Sequence, residues 1–201
     1  VPDSHDEHHN NPERTVTTTL DTERAELLAE LADARAALTA TVHGLTDEQA
    51  GERPTVSALC LGGLVKHVTA MEEAWQRFVV DGPSAMRHEL PDGVTWADIL
   101  AGTASEFPQW MIDHQNQFRM LPGDTVAGIL AHYDEVAART EEVIAAVPDL
   151  SVTRPLPVAP WHEPGAVSSV RRVLTHLIRE TAQHTGHADI LRETLDGHTS
   201  S

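Results

Sequence analysis

A single cysteine, Cys60, is all the thiol in the 201 residues, so no internal disulfide can staple the fold. Aromatic side chains make up only 4% of the chain, too few for the aromatic and branched pairs that usually build sheets. No apolar run approaches the roughly 20 residues that span a bilayer. Basic residues are scarce as well: 14 against 31 acidic ones leave a formal charge of −17. That charge repels the phosphate backbone of a nucleic acid and an anionic membrane surface, so neither is an expected partner. The first 19 residues are polar and lack the apolar stretch of a signal peptide, which makes the cytosol the expected compartment.

What the chain does contain is alanine, leucine, glutamate and arginine, within a hydrophobic content of 40%. These residues lose little freedom in a helix and suit helices packing on helices. The length supports one domain with a sizeable core. The expected fold is all-α: a four-helix bundle over residues 20–197, preceded by a loose polar tail at 1–19. His5, His8 and His9 lie in that tail, where any metal would first have to order a mobile segment.

Helical periodicity places the elements. Asp21 is a good cap for a helix from Thr22, with Leu27, Leu31, Ala34 and Leu38 on one face, ending near His43 and Gly44. A second helix is expected from about Leu59 to Val80, stopped by Asp81, Gly82 and Pro83. Residues 81–123 are rich in proline and glycine and read as a long crossover, with short helical stretches at Trp96–Ala101 and Gln109–Asn116. Asp124 is then expected to cap a third helix reaching Val147. The segment 148–167 contains five prolines and reads as a second irregular connection, the two crossovers forming a rim over one end of the bundle. Ser168 or Ser169 can cap a last helix running to Leu195, with Gly197 as its terminating glycine.

On that last helix Val173, Leu177, Glu180, His184, His187 and Leu191 alternate by four and three, the seam a bundle helix turns toward its partners. The second helix gives Leu64, His67, Met71, Ala74 and Phe78 by the same count, so a histidine interrupts that seam too. A carboxylate in a bundle core costs several kcal/mol, roughly the scale of its desolvation, unless something compensates it. A metal ion does so directly. Glu180 and His184 are four apart, separated by about 6 Å of helical rise, and His67 can supply a third ligand. Three protein ligands leave an open position, the pattern of catalytic zinc; two histidines and a carboxylate also suit non-haem iron, and nickel is compatible. A metal-free network in which Glu180 pairs with His184 or His67 accounts for the same spacing equally well. His176 completes a four-spaced stripe with Glu180 and His184 but sits off the seam, and His187 is an alternative ligand or a supporting contact.

Two stretches carry a resemblance. Arg53-Pro-Thr with Leu61-Gly-Gly-Leu-Val-Lys-His67, and Thr175-His-Leu-Ile-Arg-Glu180-Thr-Ala-Gln-His184-Thr-Gly-His187, continuing to Glu193, resemble the DinB-like superfamily over residues 45–197. They look most like its actinobacterial members related to mycothiol-dependent maleylpyruvate isomerase and to the mycothiol and bacillithiol S-transferases. The resemblance implies a four-helix bundle, often dimeric, with a divalent metal held by His67, Glu180 and His184; zinc is the first expectation, nickel and iron follow. It also implies mycothiol as thiol cosubstrate and a small electrophile as substrate. The isomerase usually carries a further C-terminal domain, and the chain as given ends at residue 201, which favours the single-domain transferase-like branch.

Three functions compete on these grounds. The leading one is a metal-dependent thiol transferase or isomerase; the second is a metal-dependent hydrolase or Lewis-acid enzyme; the third is a non-catalytic metal- or ligand-binding bundle. Cys60, seven residues before His67, is expected to be an inert thiol. Arg171, Arg172 and Arg179 read as a solvated face with an option on an anionic substrate. Trp75, Trp110 and Trp161 read as packing with an option on a pocket, and His132 as an exposed or packed histidine.

Overall fold

The computed structural model describes residues 12–86 and 88–199, so His5, His8 and His9 lie outside the described residues. Four long helices carry the architecture: α1 (Pro12–Ala40), α3 (Leu61–Asp81), α6 (Val126–Ala146) and α7 (Val170–Asp196). Short helices α2 (Asp47–Gly51), α4 (Trp96–Ala101) and α5 (Gln109–Gln117) sit in the connections. Helix α7 packs along both α1 and α3, and α6 packs on α3, which gives the four-helix bundle the periodicity predicts. Among the described residues no helix is long and apolar enough to cross a membrane.

The helix ends follow local chemistry. Thr46 and Thr95 close reciprocal capping boxes with Gln49 and Asp98. Ser169 accepts from the Arg172 amide at the start of α7, and Gly197, at φ 76°, ends that helix in the left-handed conformation a side chain would oppose. Several boundaries differ from expectation, among them the end of α1, at Ala40 rather than near His43. Helix α1 begins at Pro12 rather than Thr22, and Thr125 rather than Asp124 caps α6, because its hydroxyl accepts from the Gly128 amide while Asp124 accepts from Leu121 and pairs with Lys66. The second crossover also contains a small ladder, β1 (Thr153–Pro155) against β2 (Val167–Ser169), antiparallel with Arg154 opposite Ser168.

The core falls into two apolar clusters. One gathers Leu31, Phe78, Ile144, Leu174 and Leu177; the other gathers Leu38, Leu64, Val68, Tyr133 and Leu191. A polar layer separates them. Arg35 of α1 pairs with Glu72 of α3, and Thr140 of α6 donates to the same carboxylate at 2.7 Å. Glu72 is fully buried, and the guanidinium and hydroxyl meet the charge that burial would otherwise strand.

This layer corrects the expected seams. Among the described residues the buried carboxylate is Glu72, whereas Glu180 is partly exposed at 26% of its side chain. On α7 the buried line runs through Leu177, Thr181, Ala188 and Leu191, so His184 lies half-buried at its margin and His187 is exposed. The spacing of four and three fits both lines, and the buried one is that of Thr181 and Ala188.

Candidate active site

His67 enters the site from α3, while Glu180 and His184 come from successive turns of α7. The His67 and His184 rings meet edge to face with centroids 4.9 Å apart. Phe118, just past the end of α5, stacks on His67 at 4.0 Å, and His114 of α5 approaches its edge at 5.3 Å. The close approach that allows this stack has a sequence cause. Gly62 and Gly63 open the first turn of α3, and at Gly63 a Cβ would lie 2.3 Å from the Phe118 carbonyl.

Hydrogen bonding fixes the His67 tautomer. Its Nδ1 lies 3.2 Å from the Gln117 side-chain oxygen, which only accepts, so Nδ1 carries the hydrogen and Nε2 keeps a lone pair. Burial drives the His67 pKa down to about 4 against the pull of Gln117, with neighbouring His184 and His114 adding to the depression. His184 is lowered too, first by burial and then by His187. Both imidazoles are therefore neutral at neutral pH, the state in which histidine binds a metal or accepts a proton. The His184 Nδ1 is buried and has no hydrogen-bond partner.

Glu180 is near enough to both imidazoles to oppose their depression. Its carboxylate accepts from Arg179 at 3.0 Å, and the same guanidinium donates to His176 Nδ1 at 2.9 Å. His176 stands 3.8 Å from Glu180 and packs edge-on against Trp75 at 4.9 Å. Among the described residues no three His, Cys, Asp or Glu side chains stand together as a finished metal cage. The donor chemistry fits a divalent metal nonetheless: two neutral imidazoles in contact, one with an orphaned buried nitrogen, and a carboxylate one turn away.

A family model described as mycothiol-S-transferase matches residues 26–197. The chain belongs to this DinB-like family. Membership of the mycothiol-S-transferase family implies thiol-dependent transferase activity and a small-molecule thiol as cosubstrate. No curated protein matches the chain.

The other sequence candidates take different places in the fold. Cys60 is buried at the start of α3, where its thiol faces the Phe118 carbonyl at 3.6 Å, a packing role. His132 is exposed beside Glu135. Arg171 is paired with Glu23 of α1. Sequence reasoning missed His114, Gln117 and Phe118, which reach His67 from the crossover. Their only signal was the short helical stretch at Gln109–Asn116, which contains His114 and stops just before Gln117 and Phe118, and nothing in its periodicity points to α3.

Proposed function

We propose that the protein is a mycothiol S-transferase that joins the sulfur of mycothiol to a small electrophile, with a divalent metal, zinc first among the candidates, held by His67, Glu180 and His184. The observation that carries this reading is the family match over residues 26–197, which spans both histidine-bearing helices. The unpartnered Nδ1 of His184 beside the neutral His67 supports the metal. When bound, such an ion lowers the pKa of a thiol so that it reacts as a thiolate near neutral pH.

The side chains of this chain do the rest. Gln117 fixes His67 in the tautomer whose Nε2 lone pair is available, and Phe118 covers its ring from water. Arg179 holds the Glu180 carboxylate in place and donates to His176 as well. The crossovers bring Trp110 and Trp161 to the wall of a space beside α3 for the electrophile, with Trp96 packed behind them at 5.2 Å from the Trp161 ring.

The test combines metal analysis with turnover. Purified protein is expected to hold about one metal per chain and to conjugate a chromogenic electrophile only when mycothiol is supplied, both losses following His67→Ala and Glu180→Ala. Thiol-dependent turnover that survives chelation would remove the metal and assign acceptance of the thiol proton to the neutral His184. Absence of thiol-dependent turnover in the metal-loaded protein would overturn the transferase reading.

A further inference from the structure

Two cavities flank the candidate site and differ in chemistry. One, of about 570 Å³, is lined by Trp75, Trp110, Trp161, His114 and Gln117 among others, with no Asp, Glu, Lys or Arg in its wall. His114 and Gln117 are the residues that touch His67, so this aromatic chamber opens on the α3 side of the site. The second, of about 460 Å³, is lined by Arg172, Arg179, His176 and Thr175 and also lacks a carboxylate. Arg179 and His176 are the residues that touch Glu180, so this bay lies on the α7 side. Trp75 and His162 belong to both walls.

Charge makes the bay unusual. The chain carries −17 overall, with more than two acidic residues for each basic one. The arginines of α7 pair as Arg171–Glu23, Arg179–Glu180 and Arg192–Asp196, which leaves Arg172 without a carboxylate among the described residues. An exposed arginine with no carboxylate partner among the described residues, in a cavity whose lining has no acid, offers an anion an attraction that the chain's overall field opposes. The neighbouring chamber favours a flat apolar group, because indole and imidazole rings give large contact area at little entropic cost.

We propose that the two cavities form one bipartite substrate site, selecting an electrophile that carries an aromatic ring for the tryptophan chamber and a carboxylate for Arg172. The proposal deepens the thiol-transfer reading and rests on it for the word electrophile. Within it Arg172 sets specificity and Trp161 contributes general affinity: the arginine distinguishes charged from neutral substrates, while the indole holds both alike.

The experiment is calorimetric titration of the full chain, as purified and without thiol, with 2-naphthoate and with its neutral isostere 2-naphthamide. The wild type is expected to bind the carboxylate about tenfold more tightly, equivalent to about 1.4 kcal/mol. Arg172→Gln, an exposed substitution, is expected to reduce that preference to within twofold while leaving naphthamide affinity unchanged. Trp161→Ala is expected to weaken both ligands at least fivefold and to keep the preference. Equal affinities in the wild type would overturn the proposal, as would a preference that survives Arg172→Gln, since the carboxylate would then be held elsewhere, including by a metal. Neither thiol nor turnover enters this readout. A bipartite binding pattern without thiol-dependent conjugation would instead fail the transferase reading alone.

Discussion

The Nδ1 of His67 donates to the side-chain oxygen of Gln117 at 3.2 Å, and this bond joins the bundle to the crossover helix α5. It fixes which imidazole nitrogen faces the site. Supporting hydrogen bonds of this kind orient a histidine and raise its basicity, and their loss costs roughly 10–100-fold in metal affinity or activity. Gln117→Leu is therefore expected to lower both zinc affinity and thiol-dependent kcat/KM about 10-fold or more with little change in melting temperature. Gln117→Glu, which keeps an acceptor, should recover most of the loss. Zinc titration and conjugation kinetics on the two variants check this, and equal behaviour of both would separate Gln117 from the site.

The Arg35–Glu72 pair predicts a stability effect with no counterpart at the surface. Glu72 is fully buried and Arg35 is 7% exposed, so removing Arg35 strands the Glu72 charge in the core, and removing Glu72 leaves Arg35 only the exposed Glu141 at 3.5 Å. Glu72→Ala or Arg35→Ala should each cost about 3–5 kcal/mol. The double replacement Arg35→Met with Glu72→Leu should recover much of that, because no charge is left to desolvate. Urea unfolding of the three variants reads the difference. By contrast Arg139→Ala, which breaks an exposed pair with Glu142, should change stability by less than about 1 kcal/mol.

How much of this was legible in the sequence depends on whether the information is periodic or positional. Leu31, Leu38, Leu64, Phe78 and Leu177 repeat at helical spacing, and all are in the core. Capping residues Thr46, Thr95 and Ser169 mark boundaries by local chemistry alone. The fully buried carboxylate is Glu72, which helical spacing does not single out. Glu72 is neutralised by Arg35, thirty-seven positions away, and no local pattern carries a pairing of that separation. The same limit hid Gln117 and Phe118, fifty and more residues from His67, and the convergence of Trp96, Trp110 and Trp161 from two prolines-rich connections. His67, Glu180 and His184 stood out because a shared helix face and a known motif coincide there.

Acid should destabilise the metal-free protein in a defined window. An ordinary histidine titrates near 6.5, while burial brings His67 down to about 4; His88, His176 and His184 are lowered by burial as well. Between those values the unfolded chain binds more protons than the folded one, so stability falls as pH drops below about 6.5 and the His67 contribution is fully lost near 4. His67 alone accounts for a loss on the order of 3 kcal/mol across that window. Chemical denaturation in chelator from pH 7.5 to 4 should show the decline, and His67→Gln should flatten it. An unchanged slope in that variant would place the proton uptake on other groups.

Gly63 supplies a test of how the fold holds the site. An added Cβ there would meet the carbonyl carbon and oxygen of Phe118 at 2.3 Å, and both are backbone atoms that cannot rotate aside. Gly63→Ala must therefore push the segment after α5 away from α3, at a cost of about 1–3 kcal/mol for overpacking. That movement carries Phe118 off the His67 ring and loosens the Gln117 contact, so activity should fall together with stability. Gly186→Ala is the matched control. Gly186 lies on the exposed face of α7, nothing stands within 4 Å of its added Cβ, and helix propensity favours alanine by about 1 kcal/mol. Thermal unfolding should thus shift down for the first variant and up for the second. In the first, the metal affinity and thiol-dependent turnover attributed to His67 should fall at temperatures where the protein is still folded, an effect that global destabilisation alone would not produce.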